Sequence, residues 1–248
     1  MKEIFRVDDA DTQLILGIAD TEQEIEQIQR LRYEVYTQDM GVHFPEAEDG
    51  VDKDSYDPYC QHLMVVDAKK NKIVGTYRVM LPEQAKIRGY YTESEFDISK
   101  LLPNRDILCE CGRSCTHPDY RSGGTIRLLW MGLAYFLRTY KCRYILGCAS
   151  TSLSDGGLQA AQVWYKVRDV AKAENLMIPL HPYPIDELEK LIDPNSDIKI
   201  SPLIKGYLSM GGSVCGYPAW DKDFNAVDFP ILVDVERMTA RYRHHFGL

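Results

Sequence analysis

ECGRSCTHPDYRSGGTIR, residues 110–127, carries a strand into a helix, and its reading decides the fold. Upstream, DILCECGRSCTHP has the length and apolar content of a long strand, and Pro118, with no N–H to donate, ends its pairing. Downstream, Thr125 is placed to cap a helix running to about Lys141, with Leu129, Leu133, Phe136, Leu137 and Tyr140 on one apolar stripe. Between them, Arg121, Gly123, Gly124 and Thr125 stand at the helix N-terminus. Free N–H groups and the helix dipole there favour a phosphate, although a bare Gly-Gly is commonly only a turn.

Working outward, Thr21 and Glu24 form a capping box. Ile25, Ile28, Leu31, Val35 and Tyr36 follow at helical spacing until Gly41 stops the helix. HLMVVDAKKNKIVGTYRVM predicts a hairpin, with strands near 62–67 and 72–80. RYILGCAS reads as a buried strand and LQAAQVWYKVRDVAKAENL as a helix. The remainder, with IKGYL, Gly211-Gly212 and FPILVDVERM, predicts further strands and a short C-terminal helix. The order is helix, antiparallel strands, strand, helix, strand, helix: an α/β (α+β) chain. The 248 residues are expected to form one body, with 180–248 an extension packed on the same core.

With 29 basic and 37 acidic residues and a net charge of −8, the chain lacks the broad cationic face of a general nucleic-acid binder. Seven cysteines without paired spacing, and an N-terminus without a secretion signal, point to the cytoplasm. The apolar run Leu128–Leu137 is far short of the roughly 20 residues a spanning helix needs.

Strand alternation puts Cys109, Cys111, Arg113 and Cys115 on one face and Glu110 and Ser114 on the other. A bulge at Gly112 would instead turn Glu110 and Arg113 into one cleft. Apolar neighbours should raise the proton affinity of Glu110 unless Arg113 offsets them, which suits a general base; a structural Glu–Arg ion pair is the alternative. Cys109, Cys111, Cys115 and His117 lack the spacing of a zinc site and read better as packing, so no metal is expected. Residues 42–60 read as an exposed acidic loop carrying Glu46, Glu48, Asp49, Asp52, Asp54 and Asp57. It is either solvated or able to receive a cationic amine. Arg78 could be a strand-edge charge, and Arg32 and Tyr36, one helical turn apart, could simply cover the core.

Taken together, LRYEVYTQDMG, DSYDPYCQHLMVVD, IVGTYRVM, GRSCTHPDYRSGG, ILGCAS, PLIKGYLSMGG and CGYPAWDKDFNAVDFPI, spanning residues 31 to about 232, resemble the GNAT superfamily of N-acyltransferases. The resemblance is to the branch that draws acyl groups from acyl carrier protein, which includes ornithine-lipid enzymes and autoinducer synthases. It implies a mixed, mainly antiparallel twisted sheet with helices on both faces. It also implies transfer of a fatty, 3-hydroxy acyl group to an amino-acid α-amine, ornithine foremost, with glycine or another amino acid the alternative. Carried over by motif, Glu110, Arg113 and Arg78 become catalytic. Arg32, Tyr36, Asp54, Asp57 and Ser150 become substrate-binding, and Arg121, Gly123, Gly124 and Thr125 hold a phosphopantetheine phosphate. Ile126 stands where a coenzyme A loop of this family has a small residue, which favours a carrier-protein donor whose 4'-phosphopantetheine thioester is the only cofactor. Arg121, Arg127, Arg138, Lys141 and Arg143 are the expected carrier-protein contacts. RMTARYRHHF could touch an anionic membrane or be a solvated tail. A carrier-protein or lipid-binding module that has lost turnover is the non-enzymatic alternative.

Overall fold

A computed structural model describes residues 1–8, 13–42, 50–193 and 200–248. Two strands, β1 (Lys2–Asp8) and β2 (Gln13–Ile18), precede helix α1 (Glu22–Met40). The expected hairpin is β3 (Gln61–Asp67) and β4 (Lys72–Met80), followed by α2 (Pro82–Arg88), the two-residue β5 (Phe96–Asp97) and the long β6 (Leu108–Thr116). Then come α3 (Gly124–Tyr140), β7 (Tyr144–Ser152), α4 (Leu158–Glu174), β8 (Ile178–Pro179), α5 (Ile185–Glu189) and α6 (Pro202–Ser209). The chain finishes with β9 (Gly212–Val214), β10 (Ala219–Asp221), β11 (Ala226–Asp234) and α7 (Ala240–Phe246).

The large sheet has the order β1-β2-β3-β4-β6-β7-β11-β10, with β9 also on β11. Of its neighbouring pairs only β6–β7 is parallel. Alternation along the strands builds a core on each face. Leu63, Val65, Val79 and Cys111 pack with Leu129, Leu133 and Phe136 of α3 and Trp164 of α4. Met64, Ile73 and Cys115 pack with Ile28, Leu31 and Val35 of α1 on the other face. Burying side chains of this size stabilises by about 1.5–3 kcal/mol each relative to leaving them in water.

Several expectations need correction. The N-terminal pair β1–β2 was not foreseen, although QLILGI is nearly all buried. IKGYL is helical, because Ser201 accepts the Ile204 N–H and Pro202 sits in the first turn of α6. Tyr140 leaves the α3 stripe, being 47% exposed and stacked on Phe136. Gly123, at φ 101°, caps α3 in place of Thr125. Thr21 does cap α1 through the Glu24 N–H, and Gly41 ends it in the left-handed region.

Candidate active site

The parallel pair β6–β7 is in register only from Leu108–Tyr144 to Glu110–Leu146; beyond that no pair joins the two strands. Gly147 sits where they begin to part, and a Cβ there would lie 2.4 Å from the Cys111 carbonyl oxygen. On its other edge β6 carries a bulge. Arg78 pairs with Gly112 and Thr76 with Cys115, so three steps on β6 oppose two on β4. The extra residue lies after Gly112 rather than at it, and Arg113 takes φ 49° to accommodate it. Glu110 and Arg113 therefore do line one cleft, which contains about 830 Å³ of solvent-open space. The same bulge moves Cys115 to the face opposite Cys109 and Cys111, so those three thiols do not converge as simple alternation predicted.

Glu110 is 6% exposed and makes no ion pair among the described residues, which removes the structural Glu–Arg pairing. Its Oε1 accepts the Thr92 N–H at 2.7 Å and the Thr92 hydroxyl at 2.6 Å, and Oε2 accepts the Tyr91 N–H at 2.8 Å. Three of about four lone-pair positions are filled, so Oε2 keeps unused accepting capacity. Burial raises its proton affinity above the ordinary carboxylate range, and these bonds and the Arg78 charge only partly oppose it. Tyr91 and Thr92 carry no recognisable motif and were missed.

The arginines and the acidic loop meet in one lattice. Arg32, fully buried, pairs with Asp52 at 2.8 Å and Asp57 at 2.8 Å. Arg78 bridges Asp54 at 2.6 Å and Asp57 at 2.8 Å, and Arg113 reaches Asp54 at 3.1 Å and Asp52 at 3.5 Å. Three cations thus neutralise three anions, and burial strengthens each attraction by lowering the effective dielectric. The arginines around Asp57 hold its carboxyl far below the usual range, and Asp54 is depressed as well. The reading of an exposed loop is therefore corrected for Asp52 and Asp57, which are buried. Glu46, Glu48 and Asp49 lie outside the described residues. Arg32, Asp54 and Asp57, expected as substrate ligands, do not line the cleft; Arg32 pairs with Asp57, and Arg78 with Asp54 and Asp57, behind it. Arg78, Arg113, Tyr36 and Ser150 do line it. Arg113 also lies over the rings of Phe224 at 4.4 Å and Tyr91 at 4.9 Å.

Two acids that the sequence reading passed over complete the cleft: Asp221 of β10 and Asp228 of β11. Asp228 lies opposite Ser150 of β7 and is 1% exposed. The only signal was a lone charge inside the apolar run AVDFPILV.

At the expected phosphate turn, Gly123 and Gly124 have no neighbour within 4 Å of an added Cβ, so the backbone is open to a ligand. Thr125 is corrected: its side chain is buried, with Cγ2 against Gly75, and cannot face that turn. Arg121 is held by Asp39 at 2.5 Å and donates to the Thr116 carbonyl. The proposed cationic patch is split, because Arg138 and Lys141 lie roughly 17 and 21 Å along α3 from Arg127, with Arg143 just beyond. Arg143 is moreover paired with Asp234 and Glu236.

This architecture, with a parallel pair opening beside a buried carboxylate, defines an acyltransferase of the GNAT type. The model of the acetyltransferase (GNAT) domain matches residues 31–131. An L-ornithine N(alpha)-acyltransferase of Brucella abortus is 30% identical across 94% of this chain and 89% of its own length. One from Rhodobacter capsulatus is 31% identical across 93% of both. The chain belongs to this family of GNAT N-acyltransferases. Among solved structures, TofI in complex with an inhibitor and MTA covers 95% of the chain and 96% of its own, with TM-score 0.55 and 13% identity. FeeM, an N-acyl amino acid synthase from uncultured soil microbes, covers 94% and 98% with TM-score 0.52 and 13% identity. These last two show the shared fold. Among the described residues no helix is long and apolar enough to cross a membrane.

Proposed function

We propose that this enzyme transfers a fatty acyl group, 3-hydroxylated and carried by acyl carrier protein, to the α-amine of ornithine. The observation that carries the reading is Glu110: a buried, raised carboxylate with no ion-pair partner among the described residues, at the point where β6 and β7 part. The near full-length similarity to ornithine acyltransferases supports the acceptor.

In the proposed reaction the thioester arm lies in the opening between β6 and β7, with its phosphate near the Arg121–Gly124 turn. Glu110 takes a proton from the α-ammonium, directly or through water. The amine nitrogen then bonds to the thioester carbon. The C–S bond breaks, the nitrogen's second proton passes to the leaving thiolate, Glu110 returns its proton to water, and the products are an amide and the free pantetheine thiol. Main-chain N–H groups at the β6–β7 opening, where the pairing ends after Glu110–Leu146, would stabilise the oxyanion. The Arg–Asp lattice braces this wall of the cleft and fixes Arg113 and Arg78 along it.

The test is product analysis. Purified enzyme is incubated with 3-hydroxyacyl carrier protein or the matching acyl coenzyme A, and with a panel of amino acids, and products are identified by mass spectrometry. An N-acyl ornithine formed from the carrier protein supports the reading. Acylation of glycine alone refutes the acceptor, efficient use of coenzyme A refutes the donor, and no acylation at all favours a binding module.

A further inference from the structure

We propose that Asp228, with Asp221 beside it, forms a subsite for the acceptor's second, distal ammonium group while Glu110 faces the amine that is acylated. This rests on the amine-acylation reading above and adds to it the residues that select a diamino acid. The acidic loop, the obvious source of such a counter-charge, is ruled out by geometry: Asp52, Asp54 and Asp57 already face Arg32, Arg78 and Arg113.

Asp228 is different. It lines the cleft at 1% exposure, and its Oδ1 has no hydrogen-bond partner among the described residues. Asp221, 5% exposed, accepts the Phe224 N–H on Oδ1 at 2.9 Å, and its Oδ2 is 3.5 Å from the Tyr91 hydroxyl. Neither acid has a Lys or Arg ion-pair partner among the described residues. Arg113 is the cation whose charge reaches them, and it is engaged by Asp52 and Asp54. A buried carboxylate with an unsatisfied oxygen is costly until a cation or donor arrives. Burial pushes Asp228 up to about 7, with Asp221 and Glu95 adding to the rise and Ser150 and Arg113 opposing it. A bound ammonium would reverse that shift and recover the desolvation cost as binding energy.

The spacing fits as well. The Glu110 backbone pairs with Leu146 of β7, and its carboxylate reaches along the strand toward Cys148, whose Sγ lies 3.7 Å from the Thr92 hydroxyl that donates to Glu110 Oε1. Asp228 is level with Ser150, two residues further along. At about 3.4 Å per residue along the strands and about 4.8 Å per strand across them, with β7 between β6 and β11, this separates the two acids by roughly 7 Å along the sheet and roughly 10 Å across it, about 12 Å in all. The two nitrogens of ornithine, with four carbons between them, stand on the order of 6 Å apart when extended, and a hydrogen bond of about 2.8 Å at each end brings the span to about 12 Å.

The experiment compares ornithine with norvaline, which has the same carbon chain and no distal amine, using wild type and Asp228→Asn. The expected result is a fall of about 10- to 100-fold in the ornithine-to-norvaline ratio of kcat/KM. An unchanged ratio overturns the proposal. Calorimetric titration of 1,4-diaminobutane into the acyl-free enzyme reads the subsite without turnover: binding weakened by Asp228→Asn supports it, and equal binding overturns it. If wild type acylates no amino acid yet this binding depends on Asp228, the subsite stands and the reaction reading falls. Should Asp228→Asn not fold, Asp221→Asn serves, since its amide oxygen can still accept from Phe224. The same direction is expected, and no change in ratio or in binding overturns the proposal.

Discussion

Asp57→Asn tests whether the Arg–Asp lattice holds the cleft together. Asp57 accepts from Arg32 at 3.0 and 2.8 Å, from Arg78 at 2.8 Å and from Gln29 at 2.9 Å, all within the buried interior. Asparagine keeps the volume but leaves three guanidinium groups facing two carboxylates, and turns an amide NH₂ toward a cation. Removing one partner of a buried ion pair costs about 3–5 kcal/mol. In a chain of this size each kcal/mol moves Tm by about 2–4 °C, so the drop should be on the order of 6–20 °C. Scanning calorimetry at pH 7 measures it, with Glu26→Gln, which breaks an exposed pair with Arg30, as a control that should leave Tm almost unmoved. The folded-state pKa of Asp57 is depressed, so its stabilisation is complete above the unfolded value of about 3.9 and is lost as pH falls below it. The gap between wild type and variant should therefore narrow in acid. A drop of less than about 3 °C at pH 7, or a gap that stays constant below pH 4, would refute the reasoning.

Glu110→Gln should lower kcat by about 10²- to 10⁴-fold while acyl-donor binding, followed by titration, is retained; undiminished turnover removes Glu110 from proton transfer. Because burial raises Glu110, the acid limb of the kcat/KM profile should lie above the range of an ordinary glutamate and disappear from the residual activity of Glu110→Gln. Gly147→Ala places a Cβ against the Cys111 carbonyl and should destabilise by about 1–3 kcal/mol in a denaturant titration, where an unchanged midpoint would contradict the close approach. Leu129→Ala, at a fully buried position of α3, should cost about 2–5 kcal/mol in the same assay.

The elements around residues 110–127 were legible because strand alternation, Pro118 and the α3 stripe all act locally. The position of Cys115 was not, because the bulge that flips it depends on how β4 pairs with β6. The acidic loop looked solvated since six carboxylates between Glu46 and Asp57 say nothing about arginines that arrive from α1, β4 and β6. Glu110 was found by its apolar neighbours and the family resemblance. Tyr91 and Thr92, which hold its oxygens, come from a segment about twenty residues upstream that carries no pattern of its own. IKGYL misled because its apolar residues fit a strand as well as a helix, and the Ser201–Pro202 cap was the signal that settles it.

The insertion of β11 beside β7 has a consequence for the order in which this enzyme becomes competent. Residues 31–131 contain Glu110 and the whole Arg–Asp lattice, yet they make only part of the cleft. Ser150 sits on the edge of β7 that pairs with β11, and Asp228 and Asp221 come later still. On the ribosome, where chains lengthen by about 5–20 residues each second, Glu110 emerges several seconds before the acids that complete the cleft. Until residue 234 is free of the exit tunnel, that edge of β7 remains an unpaired strand, open to association with other chains. The last strand to be made is thus both the wall of the cleft and its protection from aggregation.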